Sequence, residues 1–316
     1  MKSRFIPLVV VLALCALAAR AQDYPAKPIR IISGPGPDIV ARLYGRKFTE
    51  AWGQQVLAES LPAGGGRIAA ETVARAAADG YVLLNATPSF IVATAMGMIP
   101  VNLADLAPVS LANYVPFALV TNAQLPASSV GELVALARSK PGQLNYGSGG
   151  TGTLPHLIAE MFKQAAGLDI VQVPYKAADQ AMPALVAGQT QLMFTSFGVA
   201  LPQSRAGKTR VLAVAAPRRS PLAPDVPTLA EGGVNGVELM GWNGFSAPAG
   251  TPAAVVSRLA VEMQRAARAA DMAQQFANLG FEAPEPDYSP ARFGEFVRAE
   301  TGKWTKLVKD TGIKVE

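Results

Sequence analysis

The chain of 316 residues contains one cysteine, Cys15, and one histidine, His156. Two such residues, alone and far apart, cannot build a zinc cluster, a disulfide framework or a Cys–His nucleophile pair. Charge is also scarce. Only 16% of residues are Asp, Glu, Lys or Arg, while half are apolar. A disordered chain has the opposite balance. Glycine (29) and proline (25) are ordinary for this length and exclude a collagen-like or low-complexity protein. No internal repeat and no Pro/Gly/Ser-rich linker divides the sequence. The length fits about two domains.

The N-terminus reads as an export signal. Lys2 and Arg4 precede an apolar run from Phe5 to Ala19, and Ala19-Arg20-Ala21 places small residues where a signal peptidase reads. Residues 1–21 are therefore expected to be a signal peptide, cleaved before Gln22, and the run is short for a membrane span. Cleavage leaves 25 cations against 23 acids in place of 28 against 23, and removes Cys15. That slight, scattered excess does not predict a nucleic-acid partner. No second long apolar run follows, so a soluble exported protein is expected.

Short apolar stretches alternate with helical ones in the remaining chain. Strands are expected at Pro28–Ser33, Gln55–Glu59, Tyr81–Ala86, Phe117–Thr121, Leu144–Tyr146, Ile170–Pro174, Thr190–Thr195 and Arg210–Ala215. Asp38 is expected to cap a helix that Gly53 ends, and Ser129-Val-Gly-Glu132 has the form of a capping box. Thr251-Pro252 and Ser289-Pro290 each pair a capping residue with proline at a helix start, and the helices they open should be the longest. Glu282, Glu285 and Asp287 read as a solvated loop, and Arg258, Glu262, Arg265 and Arg268 as an exposed helix face. The alternation predicts βαβ units and largely parallel sheets, whose ligands sit at the carboxyl ends of strands.

The stretch richest in chemistry is Asn145-Tyr-Gly-Ser-Gly-Gly-Thr-Gly-Thr-Leu-Pro-His156. It runs from a strand through a glycine turn into a helix, a recipe for aiming backbone N–H groups at a carboxylate or phosphate. A plain tight turn with a threonine cap is the alternative. Gly147, Gly149 and Gly152 also match a dinucleotide fingerprint, but the next strand ends in Tyr175-Lys176 where an acid is needed. No Gly-Lys-Ser/Thr follows, and Tyr146 stands where a hydrolase elbow needs glycine. His156 has no evident orienting partner or nucleophile, so a ligand contact or structural hydrogen bond is expected of it rather than catalysis. Ser33-Gly-Pro-Gly-Pro-Asp38 is a second strand-to-helix turn, although Pro35 and Pro37 remove two donors. Pro62-Ala-Gly-Gly-Gly-Arg67 is a third glycine run, and Trp242 stands at a possible lobe junction.

In order along the chain, these motifs resemble one family, the periplasmic solute receptors of tripartite tricarboxylate transporters, often called Bug receptors. Tyr24-Pro-Ala-Lys-Pro-Ile-Arg, Pro62-Ala-Gly-Gly-Gly, Asp79-Gly-Tyr-Val-Leu-Leu and Leu144 through His156 carry the likeness. Val173-Pro-Tyr-Lys176, Arg218-Arg-Ser-Pro221, Pro224-Asp-Val-Pro-Thr228 and Ala247-Pro-Ala-Gly-Thr-Pro252 continue it. The resemblance spans Tyr24 to Glu316. It implies an α/β fold: a two-lobed periplasmic binding protein of type II, with mostly parallel sheets and a ligand cleft between lobes. Lobe 1 is expected over 22–122 plus 223–316, and lobe 2 over 123–222. Neither catalysis nor a cofactor is implied.

The implied partners are a small carboxylate, such as a di- or tricarboxylate, and the membrane components of the transporter. The receptor is expected to be a monomer. The family holds its carboxylate from both lobes, partly through ordered water. Here the matching positions are the turn Ser33 to Asp38, with Ser33, Gly34, Gly36 and Asp38, and the loop Gly147 to Thr153, with Gly147, Ser148, Gly149, Gly150, Thr151 and Thr153; Tyr146 and His156 beside that loop are further candidate contacts. Ser89, Tyr175, Lys176, Thr195, Ser196 and Trp242 complete the candidate ligand contacts. Two departures stand out. The turn Gly34–Asp38 is several residues shorter than the family's, which raises a receptor with altered ligand as an alternative. Met193-Phe194-Thr195-Ser196 also lacks the acid that amino-acid-binding members carry, so a carboxylate without a free amine is expected. A periplasmic sensor for a membrane signalling partner is the other alternative.

Overall fold

Ile29, Ile31 and Ile32 are fully buried within five residues, the near-continuous apolar pattern of a strand covered on both faces. They form β1 (Ile29–Ser33) in a computed structural model that describes residues 24–34, 38–150, 153–175 and 178–311. The expected signal peptide, with Gly36, Thr151 and Lys176, lies outside the described residues. After β1 come α1 (Ile39–Trp52), β2 (Val56–Ser60), α2 (Arg67–Ala74), β3 (Val82–Ala86), α3 (Pro88–Ala95) and β4 (Ala107–Val115). A second series follows: β5 (Phe117–Asn122), α4 (Val130–Ser139), β6 (Asn145–Ser148), α5 (Leu154–Ala166), β7 (Val171–Pro174), α6 (Ala178–Val186), β8 (Leu192–Ser196), α7 (Phe197–Arg205) and β9 (Thr209–Val214). The chain closes with β10 (Gly241–Ala247), α8 (Ala253–Ala267), α9 (Ala270–Leu279) and α10 (Pro290–Thr311). None of these helices is long and apolar enough to cross a membrane.

Two five-stranded sheets result, ordered β2-β1-β3-β10-β4 and β7-β6-β8-β5-β9. Each is half parallel rather than mostly so. The pairs β1/β2, β1/β3, β6/β7 and β6/β8 are parallel, as βαβ crossovers require. The pairs that β10 makes with β3 and β4, and β5 with β8 and β9, are antiparallel. The antiparallel half arises because β5 and β10 enter their sheets from the other half of the molecule and not through a helix.

The chain passes from the first sheet to the second at Pro116, between Val115 and Phe117, and returns just before Gly241. Strand β5, placed in lobe 1 by a boundary at 122, therefore pairs in the second sheet. The segment to Leu239, placed in lobe 1 by a boundary at 222, still hydrogen-bonds to Ala215 beside β9. The two crossings lie side by side, with Gly241 opposite Val115. A Cβ on Gly241 would meet Phe117 at 3.0 Å and Val115 at 3.2 Å, so glycine is what lets the crossing strands approach.

Local details follow the sequence in part. Ser129 Oγ accepts from Glu132 N at 3.2 Å, while the Glu132 carboxylate reaches Ser128 N instead of closing the box on Ser129. Ser289 Oγ accepts from Arg292 N, as a cap should. Thr251 does not cap; its hydroxyl donates to Pro248 O. Glu282 is buried rather than solvated and pairs with Arg218 at 3.1 Å. Glu262 is likewise buried, beside Arg265.

Candidate functional site

Four strands end toward the gap between the sheets: β1 at Ser33, β3 at Ala86, β6 at Ser148 and β8 at Ser196. The helices that follow them, α1, α3, α5 and α7, start there. A cavity of about 290 Å³ lies at this point. Its walls include Ile39 and Val40 of α1, Thr87, Pro88 and Ser89 at the start of α3, Leu154 and Pro155 of α5, and Ser196 and Val199 at α7. None of the four helices has a side-chain cap, and none carries an acid in its first turn. Pro88 and Pro155 bring no N–H to two of these starts, Phe197 N already donates to Pro116 O, and Asp38 stands before α1. The remaining first-turn N–H groups and the partial positive charge of the helix ends are what the cavity is offered.

Strand ends and the crossing segments complete the walls. Ser33, Gly34, Asn85 and Thr195 come from the strand ends, Val115, Phe117, Gly241, Trp242 and Asn243 from the two crossings, and Phe281 from the segment after α9. Gly34 is required by packing, since a Cβ there would lie 2.6 Å from the Phe90 ring. Asn85 is buried, and its Nδ2 donates to Ser33 Oγ at 3.3 Å, but its Oδ1 has no hydrogen-bond partner. A buried amide oxygen left bare is costly unless a ligand or water meets it. All the described lining side chains are uncharged.

Ser33, Gly34, Ser89, Thr195, Ser196 and Trp242 line the cavity. Trp242 is almost fully buried, and its Nε1 donates to Glu300 at 2.9 Å, so only part of its ring is offered. Asp38 does not cap α1. Its carboxylate holds the Arg42 guanidinium through two bonds, at 2.8 and 2.7 Å, and this pairing raises the arginine's pKa. Tyr146 points away from the cavity into the core and donates to Glu160 at 2.5 Å. Burial, then Glu160, pushes its phenol well above the usual range.

Ser148 is buried and accepts from Gln172 Nε2 at 2.8 Å and, more weakly, from Gly150 N. Thr153 Oγ1 donates to Gly150 O, and Tyr175 N donates to Ser148 O. These bonds shape the turn that follows β6; Gly149 and Gly150 belong to it, while Gly147 lies within β6, paired with Val173 and Met193. His156 lies in the first turn of α5 but is 5% exposed. Burial holds its imidazole below the ordinary value, against the pull of Glu160.

Sequence reasoning did not single out Asn85, Thr87, Val115, Phe117, Asn243 or Phe281. Asn85 left one signal, an amide closing the otherwise apolar strand Val82–Ala86, next to Thr-Pro-Ser. The residues at the crossings have no local signal, because distant pairings bring them together: β4 with β10 for Val115 and Asn243, β5 with β8 for Phe117, and the Tyr114–Glu282 bridge for Phe281. A second cavity of about 280 Å³ shares Trp242 and is lined by charges of both signs, Glu238, Glu285 and Glu300 with Arg218 and Lys303.

The family model described as the tripartite tricarboxylate transporter family receptor matches residues 40–313. Protein BugT of Bordetella pertussis is 30% identical over 98% of this chain and 97% of its own. Among solved structures, Rpa4515 of Rhodopseudomonas palustris with adipate superposes with a TM-score of 0.79, at 31% identity over 92% of this chain and 99% of that one. MatC of the same organism, with bound malate, gives 0.76 at 29% identity over 90% and 100%. These are solute-binding proteins and not enzymes, and the two-lobed α/β architecture is theirs. The chain belongs to the tripartite tricarboxylate transporter receptor family.

Proposed function

We propose that this receptor captures a small carboxylate in the periplasm and closes on it to present it to the membrane components of a tripartite tricarboxylate-type transporter. One observation carries the reading: four uncapped helix N-termini, two from each sheet, meet at one neutral cavity. An anion is what such ends attract. Residues 1–21 act as the export signal, and the receptor works as a monomer with its hinge at Pro116 and just before Gly241. Ser33, Ser89, Thr195 and Ser196 supply hydroxyls, and the turn at Gly147–Thr153 supplies backbone donors.

Capture begins on one lobe. Rotation about the crossings then brings in the helix ends of the other lobe and expels water. The membrane partner reads the closed form. Micromolar affinity, about −8 kcal/mol, is within reach of several charge-assisted hydrogen bonds. Thr195 and Ser196 give a free amine no counter-charge, so the ligand lacks one.

Native mass spectrometry of the protein purified from cells, followed by calorimetric titration with an acid panel, tests this. A small-acid adduct and micromolar binding of acids over their α-amino analogues are expected. A bare protein that binds no acid, or that prefers glutamate to glutarate, refutes the respective part.

A further inference from the structure

The two arginines of Arg218-Arg-Ser-Pro221 serve different halves of the molecule. Arg219 stays within its own: it pairs with Glu231 at 3.0 Å and donates to Pro224 O, which holds the turn after β9. Arg218 reaches across to the other. Its Nη2 donates to Glu282 at 3.1 Å, and Glu282 is tied to the first sheet by its backbone pair with Tyr114 of β4. The Glu282 side chain is only 4% exposed, and Arg218 is its one ion-pair partner among the described residues.

Glu282 closes a short strap, Leu279 to Glu282, at the end of α9. The strap meets the second lobe twice. Gly280 packs on α7, where a Cβ on Gly280 would lie 2.1 Å from Gly198 N, and Glu282 meets Arg218. Between these two anchors Phe281 lines the cavity. From this we infer that Arg218 is a positioning residue of the ligand site: through Glu282 it holds Phe281 in the cavity wall and restricts the angle between the lobes. The inference rests on the carboxylate-receptor reading for what fills the cavity. Stripping a buried carboxylate of its cation is strongly unfavourable. The pair therefore limits how far the lobes turn about the crossings. A ligand that presses on Phe281 acts on the same two anchors.

Cys15 is the only cysteine and lies in the expected signal peptide, so spin labels can be placed at Arg75→Cys and Lys140→Cys, exposed positions on opposite lobes. Electron–electron resonance then reads the distance between them in the ligand-free protein. Arg218→Ala combined with Glu282→Gln, which leaves no bare buried charge, is expected to shift or broaden that distance by roughly 2 Å or more. Arg219→Ala should lower the melting temperature and leave the distance at wild type. A wild-type distance in the folded double variant overturns the inference, and Glu282→Gln alone takes its place if that protein does not fold.

Calorimetric titration with adipate and malate tests the route. The double variant is expected to bind them about tenfold more weakly or worse, while Arg218→Lys, which keeps the pair, stays near wild type. On a Phe281→Ala background the double variant should cause no further loss. An undiminished loss there refutes action through Phe281. The distances are read without ligand, so acids that fail to bind remove the carboxylate reading and leave the strap to be decided by the labels.

Discussion

The lobes touch at a pair of glycines, and adding one methyl group there should hold them apart. Gly198 lies in the first turn of α7 on the second sheet, and Gly280 ends α9 on the first. A Cβ on Gly198 would sit 2.2 Å from the Leu279 carbonyl oxygen. Ordinary contact needs about 3.5 Å, so the helices must part by roughly 1 Å. Overpacking of this kind costs about 1–3 kcal/mol, and opening the cleft relieves it. Gly198→Ala is therefore expected to weaken ligand binding by about five- to a hundredfold and to enlarge the radius of gyration with ligand bound. The control is Gly131→Ala in α4, where no atom lies within 4 Å of the new methyl. That variant should gain about 1 kcal/mol of helix propensity, while binding stays at the wild-type level. Wild-type affinity and scattering in a folded Gly198→Ala protein would refute the lobe contact as part of closure.

Glu300 accepts two buried indole N–H groups, from Trp242 at 2.9 Å and Trp304 at 2.8 Å. Glu300→Ala strands both donors and is expected to cost about 2–5 kcal/mol, read by urea unfolding; Glu300→Gln, which keeps an acceptor, should cost clearly less. His156 is held neutral by burial, with its pKa below 6.5. Below that pH the unfolded chain takes up more protons, so stability falls as the solution is acidified toward the folded pKa. The melting temperature should drop from pH 7 to 5.5, less steeply in His156→Gln, and equal slopes would refute the assignment. Asn85→Asp places a carboxylate beside Ser33 in the cavity. A loss of acid binding of at least tenfold is expected in the folded variant, with a lower melting temperature because the new carboxylate is buried, and unimpaired binding would show that the ligand's acid stays clear of Asn85.

The parallel halves of both sheets were legible because their strands are short apolar runs next to turn residues, as at Ile29–Ser33 and Leu192–Ser196. Strands β4 and β10 were not. The first carries Pro108 and Asn113. The second holds Gly241 and Gly244, and a Cβ on Gly244 would collide with the Phe293 ring at 2.2 Å. Their sequences answer to neighbours distant in the chain, not to strand propensity. The same blindness affected the site. The glycine turn before α5 announced itself, but α3 and α7 are eight and nine residues long, and Pro202 interrupts α7. Those two helices therefore passed unread, although Ser89, Thr195 and Ser196 at their starts were among the candidate contacts, and the apolar residues at the crossings passed unread too.

Lack of a cap would mean little by itself, since α8 also starts without one. What gives the cleft its chemistry is repetition. The two sheets share one arrangement, in which a central strand and its parallel neighbour each lead into a helix that starts at the gap. An acid bound to one lobe meets two helix ends, and closure supplies two more. Each end favours an anion by about 0.3–2 kcal/mol, depending on burial. On the proposed closure the second pair would add about 1–4 kcal/mol to the closed form alone, and the negative charge itself is expected to drive the motion. A carboxamide of the same shape keeps the apolar contacts but loses that bias. It should bind at least tenfold more weakly than its acid and leave the scattering profile at that of the free protein. An amide that closes the lobes as fully as the acid would show that shape drives the motion, not charge.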